Sequence, residues 1–202
     1  MIAVIMTISS DQRKWNERYR TESQLWGFDP SSVFEEAVKA RIPDGVVMEL
    51  ACGVSGNALA LAMGGREVLA VDVSDVALGR LQAEAQARGV SGRINCVQAD
   101  LAMWRPPEDR RFALVLCDMY WDRTVFEYAW PVVEEGGLIA WQAFNTDQVK
   151  YRPTIRLKFC LQYGEPGSLL PEGFTMVAEQ DVDDGHRAVR RLIARREGEN
   201  GR

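Results

Sequence analysis

Between residues 46 and 144 the chain alternates short apolar runs with helix-patterned stretches, and few folds accept that rhythm. The apolar runs are Val46–Leu50, Glu67–Val71, Ile94–Gln98, Phe112–Cys117 and Leu138–Phe144. Each is too short for an ordinary helix and suits a buried strand. Helix signals fill the gaps. A glycine-bearing turn leads into an apolar stretch through Met63, and Ser74 caps a helix to about Arg88 that Gly89 ends. A further helix is expected from Thr124 to Glu134, stopped by Gly136–Gly137. Strands that alternate with helices pair in parallel through right-handed crossovers, with helices on both faces of the sheet.

The flanks differ. Ser10–Asp11 should cap a helix through about Arg20, with Trp15 and Tyr19 on one face. Asp29–Pro30 reads as the start of a second helix that carries Val33, Phe34, Ala37, Val38 and Ile42, and Pro43–Asp44–Gly45 stops it. Residues 145–172 are dotted with proline and glycine, with one short helix expected near Ile155–Leu161. Phe174–Val182 and Arg187–Ala194 are β-like runs split by Asp183–Asp184–Gly185, which signals a hairpin. The expected fold is therefore α/β: a Rossmann-like three-layer sandwich around a mostly parallel seven-stranded sheet, closed by a C-terminal antiparallel hairpin. At 202 residues the chain fits a single domain, with 1–10 a flexible segment and 11–43 a helical cap.

Charge and cysteine usage narrow the function classes. A net charge of −5 argues against a dominant nucleic-acid surface. The four cysteines, Cys52, Cys96, Cys117 and Cys160, form no C-x-x-C pair, and His186 is the single histidine, so no metal site is expected. Free thiols point to a reducing compartment, and a cytoplasmic location is the expectation. The apolar start, Met1–Ile8, is too short to span a bilayer and has neither a basic start nor a small-residue cleavage site. No membrane partner is expected.

In open α/β sheets, ligands settle beyond the carboxyl ends of the strands, where strand order reverses. What ends each strand is therefore the informative question. The first ends in Glu49-Leu50-Ala51-Cys52-Gly53-Val54-Ser55-Gly56-Asn57. Small residues there admit a ligand close to the backbone, and the following helix offers free N–H groups. The second ends in Val71-Asp72-Val73-Ser74, where a carboxylate can accept hydrogen bonds from both ribose hydroxyls. The third ends in Gln98-Ala99-Asp100-Leu101, where a carboxylate can accept from an exocyclic amine such as that of adenine. Singly, each aspartate reads equally as a helix cap. Together they fit an adenosine-bearing ligand lying across the sheet edge.

These three strand ends resemble the successive S-adenosylmethionine (SAM) motifs of class I methyltransferases. Phe112-Ala113-Leu114-Val115-Leu116 resembles the family's fourth strand, and Val133-Glu134-Glu135-Gly136-Gly137-Leu138-Ile139 its turn into the fifth. Trp15-Asn16-Glu17-Arg18-Tyr19 and Asn57-Ala58-Leu59-Ala60-Leu61-Ala62 are similar to small-molecule methyltransferases of the tellurite-resistance and thiopurine type. The resemblance implies that Glu49 acts through the turn on the methionine amino group, with the backbone of Ala51 and Gly53 facing the methionine part. It implies Asp72 on the ribose, Val73 against adenine, Asp100 on the adenine amine, and Leu101 N–H near a ring nitrogen. Cys117 to Trp121 would line the mouth, and Trp15 and Tyr19 would help to close a lid. The sequence departs from the family at Ser55, where a glycine is usual, and at Glu135, where a proline is usual. Serine is tolerated if that residue keeps a negative φ.

Methyl transfer is an in-line displacement driven largely by positioning, and a base is optional. Asp118, Tyr120 and Asp122 are the nearest candidates for base or orienter, with solvated surface acids as the plainer reading. Tyr120, Trp121, Arg123 and Phe144 form a tentative pocket for a small, partly apolar acceptor. Arg123, Arg152 and Arg156 could greet an anionic one. The expected function is transfer of a methyl group from SAM to a small-molecule O, N, S or chalcogen nucleophile, by a monomer or homodimer. Gly53-x-x-Gly56 with an acid downstream also fits an NAD-binding oxidoreductase, although the turn lacks a full Gly-x-Gly-x-x-Gly. A non-catalytic SAM-binding protein is the other alternative. Methylation of RNA or protein fits less well, for want of a basic surface.

Overall fold

A computed structural model describes residues 9–22 and 27–198. Of the flexible segment expected over 1–10, residues 1–8 lie outside the described residues, whereas Ser9 caps the first helix by accepting from Gln12 N and Ser10 begins it. The elements run α1 (Ser10–Thr21), α2 (Ser32–Lys39), β1 (Val47–Leu50), α3 (Gly56–Met63), β2 (Val68–Asp72), α4 (Asp75–Ala87), β3 (Ile94–Gln98) and β4 (Phe112–Asp118). They continue with α5 (Arg123–Ala129), β5 (Val133–Phe144), β6 (Phe174–Asp183) and β7 (Ala188–Arg196).

The seven strands form one sheet in the order β3-β2-β1-β4-β5-β7-β6. β1 to β5 are parallel, and β7 runs antiparallel to both β5 and β6. This is the Rossmann-like arrangement with the C-terminal hairpin that the alternation dictated. Strand order reverses between β1 and β4, which pair directly in the register Leu50↔Cys117.

Alternate side chains build the two faces. Met48, Leu50, Val115, Cys117 and Trp141 join Phe126 of α5 on one face. Val47, Leu114, Leu116 and Ala140 join Phe34 of α2, Leu59 of α3 and Leu81 of α4 on the other. Every residue of β1 and β2 is buried, as a strand covered on both faces requires. Burial of each such Val, Leu or Phe contributes roughly 1.5–3 kcal/mol.

The larger departures from the sequence expectation each have a local reason. α2 is capped by Ser31, whose Oγ accepts from Phe34 N, and not by Asp29 before Pro30. α5 ends at Ala129 because Trp130-Pro131-Val132 tightens into a 3-10 turn. β5 then begins at Val133 and runs through Gly136–Gly137, so the glycines lie within the strand and do not precede it. The helix expected near Ile155–Leu161 is only a 3-10 turn at Leu157–Phe159. No helix among the described residues is long and apolar enough to cross a membrane.

Candidate active site

The parallel strands deliver Glu49, Asp72, Asp100 and Asp118 to one edge of the sheet. Glu49, second to last in β1, is 2% exposed. Ser55 Oγ donates to its Oε2 at 2.5 Å and Asn57 Nδ2 to its Oε1 at 2.9 Å. Burial is the largest influence on its carboxyl, which is pushed up to about 7. Asp72, last in β2, accepts Gly53 N–H on Oδ2 and Ser74 N–H on Oδ1, each at 2.7 Å. Burial raises this carboxyl too, against the pull of those amides. One carboxylate thus holds the glycine turn after β1 against the turn after β2.

Backbone strain concentrates here. Ala51 (φ 49°), Gly53 (φ 56°) and Met119 (φ 59°) all adopt the left-handed region just beyond β1 and β4. For alanine and methionine that conformation costs about 1–2 kcal/mol, and such strain persists mainly at functional sites. Ser55 does not add to it. Its φ is −88°, and its Oγ caps α3 by accepting from Ala58 N at 2.8 Å. This serine caps a helix and bonds the buried acid at once.

The N-terminal segments cover this edge. Asn16 of α1 is buried; its Oδ1 accepts from Ser74 Oγ at 2.7 Å, and its Nδ2 donates to Asp75 Oδ1 at 2.6 Å. Tyr19, 7% exposed, lies over the glycine turn: a Cβ added to Gly53 would stand 2.3 Å from its hydroxyl oxygen. Burial, with Asp72 adding to it, raises the phenol's pKa. Trp15 packs beside it with ring centroids 6.0 Å apart. The backbone of Phe28 and Asp29 crosses so close to Gly56 that a Cβ there would lie 2.3 Å from Asp29. Ser31 N donates to Asn57 Oδ1 at 2.7 Å, tying this crossing to the Glu49 cluster.

The structure places the remaining sequence candidates as follows. Asp100 follows β3, beside Asp72, whose carbonyl accepts Ala99 N–H at 2.8 Å. Its Oδ1 accepts from Ala102 N, so it also caps its own turn. Val73 is partly buried and Leu101 buried. Cys117 and Cys52 are neutral thiols, both pushed up by burial. Tyr120 is partly exposed near the mouth. Trp121 sits instead in the core against Trp141 and Phe126. Arg123 lies exposed on α5, paired with Glu127. Phe144 closes β5 and is partly buried. His186 is exposed in the β6–β7 turn.

Asp118 differs from its sequence reading as a solvated surface acid. Its Oδ1 accepts from Gln142 Nε2 at 2.9 Å, and burial raises its carboxyl. Gln142 Oε1 accepts from Arg191 Nε at 2.8 Å, and Arg191 Nη2 donates to Ser32 Oγ at 2.7 Å. Sequence alone could not bring Gln142 and Arg191 to Asp118, because the link is the β4–β5–β7 register. An alternation of polar residues at equivalent ends of these strands was the available signal.

Residues 47–137, from β1 to Gly137 within β5, match the family described as methyltransferase domain. Solved structures share the fold around it. TehB from Haemophilus influenzae aligns with a TM-score of 0.70 at 15% identity, over 92% of this chain and 67% of that one. Magnesium protoporphyrin IX methyltransferase (ChlM) from Synechocystis PCC 6803 with bound SAH aligns at 0.62 and 15% identity, over 93% and 100%. The [4+2]-cyclase SpnF aligns at 0.65 and 14% identity, over 82% and 80%. At such identities the likeness speaks for the fold, and the cyclase shows that reactions on it are set by the site. The matched residues include the very turn and strand-end acids on which a dinucleotide reading would rest.

Proposed function

We propose that this chain is a SAM-dependent methyltransferase acting on a small molecule. The observation that carries the reading is Asp72, a buried carboxylate fixed between Gly53 N–H and Ser74 N–H at the end of β2. It retains lone pairs for a ribose diol, and the strained, side-chain-poor turn beside it admits a ligand to the backbone. The residues fit the cofactor. Asp72 would hold the ribose, and Asp100 the adenine amine between Val73 and Leu101. Ala51 and Gly53 would face the methionine part. Glu49 would act through Ser55, Asn57 and the turn they brace, favouring the ammonium group.

When bound, SAM supplies an electrophilic methyl group on a sulfonium. The protein's own contribution is positional. Tyr19 and Trp15 cover the turn and exclude water, and the segment from Cys117 to Tyr120 borders the place of transfer. The acceptor is a small molecule, met in the cytoplasm at the mouth beside Tyr120 and Phe144.

Calorimetric titration tests the reading. SAM should bind and NADH should not. Asp72→Ala should weaken SAM by about 1–3 kcal/mol, the usual cost of stranding a buried partner. NADH binding without SAM binding, or a folded Asp72→Ala protein with unchanged SAM affinity, refutes it.

A further inference from the structure

Charge is unevenly spread over the chain. Its net charge is −5, yet residues 148–164 hold Lys150, Arg152, Arg156 and Lys158 and no acid. Arg152, Arg156 and Lys158 form no ion pair among the described residues. The acids around the stretch are themselves paired: Asp147 with Lys150, Glu165 with Arg123 and Asp184 with Arg187. A basic face therefore stands open on a chain whose remainder is more acidic than its total.

Apolar surface gathers in the same place. Ten large hydrophobic side chains are exposed among the described residues, and five of them, Val149, Tyr151, Leu157, Phe159 and Tyr163, lie within 149–163. Leu157 and Phe159, each 49% exposed, share one 3-10 turn, and Lys158 between them lays its Nζ 4.8 Å from the Phe159 ring centroid. The turn is braced: Phe159 N donates to Arg156 O at 2.9 Å and Cys160 N to Leu157 O at 3.0 Å. Behind it Cys160 and Leu161 are buried, and Leu161 N donates to Phe144 O at 2.8 Å. The segment is thus anchored through its inner residues while Leu157 and Phe159 stay outside the core. Apolar side chains clustered in this way mark a surface that a partner covers.

We propose that residues 149–163 dock the protein on an anionic phospholipid surface, with Leu157 and Phe159 entering the interface and Arg152, Arg156 and Lys158 at the headgroups. Such a surface carries negative charge outside and hydrocarbon beneath, which matches cations interleaved with apolar tips. Long cationic stems let the charges stay at headgroup level while the tips go deeper. A nucleic acid supplies the charge but nothing for Val149 and Leu157, because its bases stack on aromatic rings. Interfacial binding needs no spanning helix, so the expectation of no membrane partner, which concerned spanning and cleaved segments, does not bear on it. The acidic remainder of the chain is repelled by the same lipids, which turns the basic face toward them. The segment begins and returns at the carboxyl end of β5, parallel to β4, so the docked face adjoins the edge where the candidate site opens. This inference goes beyond the methyltransferase reading and does not depend on it.

Flotation of the full chain with lipid vesicles tests this. At low salt the protein should float with phosphatidylcholine vesicles that contain about a quarter phosphatidylserine, and not with phosphatidylcholine alone. Arg152→Ala/Arg156→Ala/Lys158→Ala should weaken vesicle binding about a hundredfold, at about fivefold for each cation near such a surface. Leu157→Ser/Phe159→Ser leaves the net charge as it is and should weaken binding roughly tenfold or more. Both side chains are exposed, so the urea midpoint of that variant should match wild type and its S-adenosylhomocysteine affinity should stay within about twofold. Absence of flotation with the anionic vesicles, equal flotation with both kinds, or binding that survives either set of substitutions overturns the inference. So does tighter binding to polyuridylate or to polyglutamate than to the vesicles, which would assign the face to RNA or to an acidic protein. SAM binding is read separately, and its failure refutes the methyltransferase reading alone.

Discussion

At the scale of single residues, the buried acids explain one another. Glu49 has its carboxyl pushed from its ordinary 4.5 up to about 7, chiefly by burial, with Asp118 and Asp72 adding repulsion. An acid whose value is higher folded than unfolded holds its proton more tightly in the native chain. The stability it contributes is complete below its unfolded value and is lost as pH rises through about 7. Ligand-free protein should therefore be more stable at pH 5 than at pH 8, with Glu49 contributing on the order of 3 kcal/mol to the difference. Urea midpoints at the two pH values, in wild type and Glu49→Gln, check this: the variant should flatten the dependence. Equal slopes would mean that Glu49 ionises as an exposed acid does. The same logic favours a cationic ligand, which should displace the proton. SAM affinity should accordingly rise between pH 6 and 8, with proton release visible as a buffer-dependent binding enthalpy.

At the scale of elements, caps and crossings decide what sequence patterning can reveal. Ser74 and Gly89 bracket α4 as written, because a cap is a local bond between near neighbours. The start of α2 is harder to read, because two good cap residues, Asp29 and Ser31, compete and a tertiary contact decides. Phe28 and Asp29 are committed to crossing Gly56, so helix begins only after Ser31. The strand-end acids Glu49, Asp72 and Asp100 were legible because each follows an apolar run. The bonds that hold the site together were not, because they join residues 19 apart for Gly53–Asp72 and 49 apart for Gln142–Arg191. α1 depends on such bonds. It is polar, its buried residues are Asn16 and Tyr19, and Asn16 holds it to the start of α4. Asn16→Ala should speed amide exchange over residues 10–21 at least tenfold, with exchange in β1 and β4 unchanged. A uniform change across the sheet would show that α1 is integral to the core and not a separately opening cover.

At the scale of the whole molecule, the sheet has two edges with different tasks. Charge and strain gather where β1, β2 and β4 end. The opposite edge carries ties. Arg195, near the end of the antiparallel β7, donates through Nη1 to Gly136 O at 2.6 Å and through Nη2 to the carbonyls of Ala40 and Arg41. One guanidinium so closes the end of α2, the bend in β5 and the last strand. The tie is 155 residues long in sequence for Ala40, which is why no pattern announced it. Arg195 pairs with Leu138 at the start of the long inner run of β5, whereas Asp118 pairs with Gln142 further along. The tie therefore stands well away from the proposed site. Arg195→Ala leaves those carbonyls without their donor, at a cost of about 1–3 kcal/mol. The urea midpoint should fall accordingly, while S-adenosylhomocysteine affinity measured at low urea stays within twofold. Loss of affinity in step with stability would mean that the two edges are coupled through the sheet, and that α2, which Arg195 holds at one end and Arg191 at the other, carries the coupling.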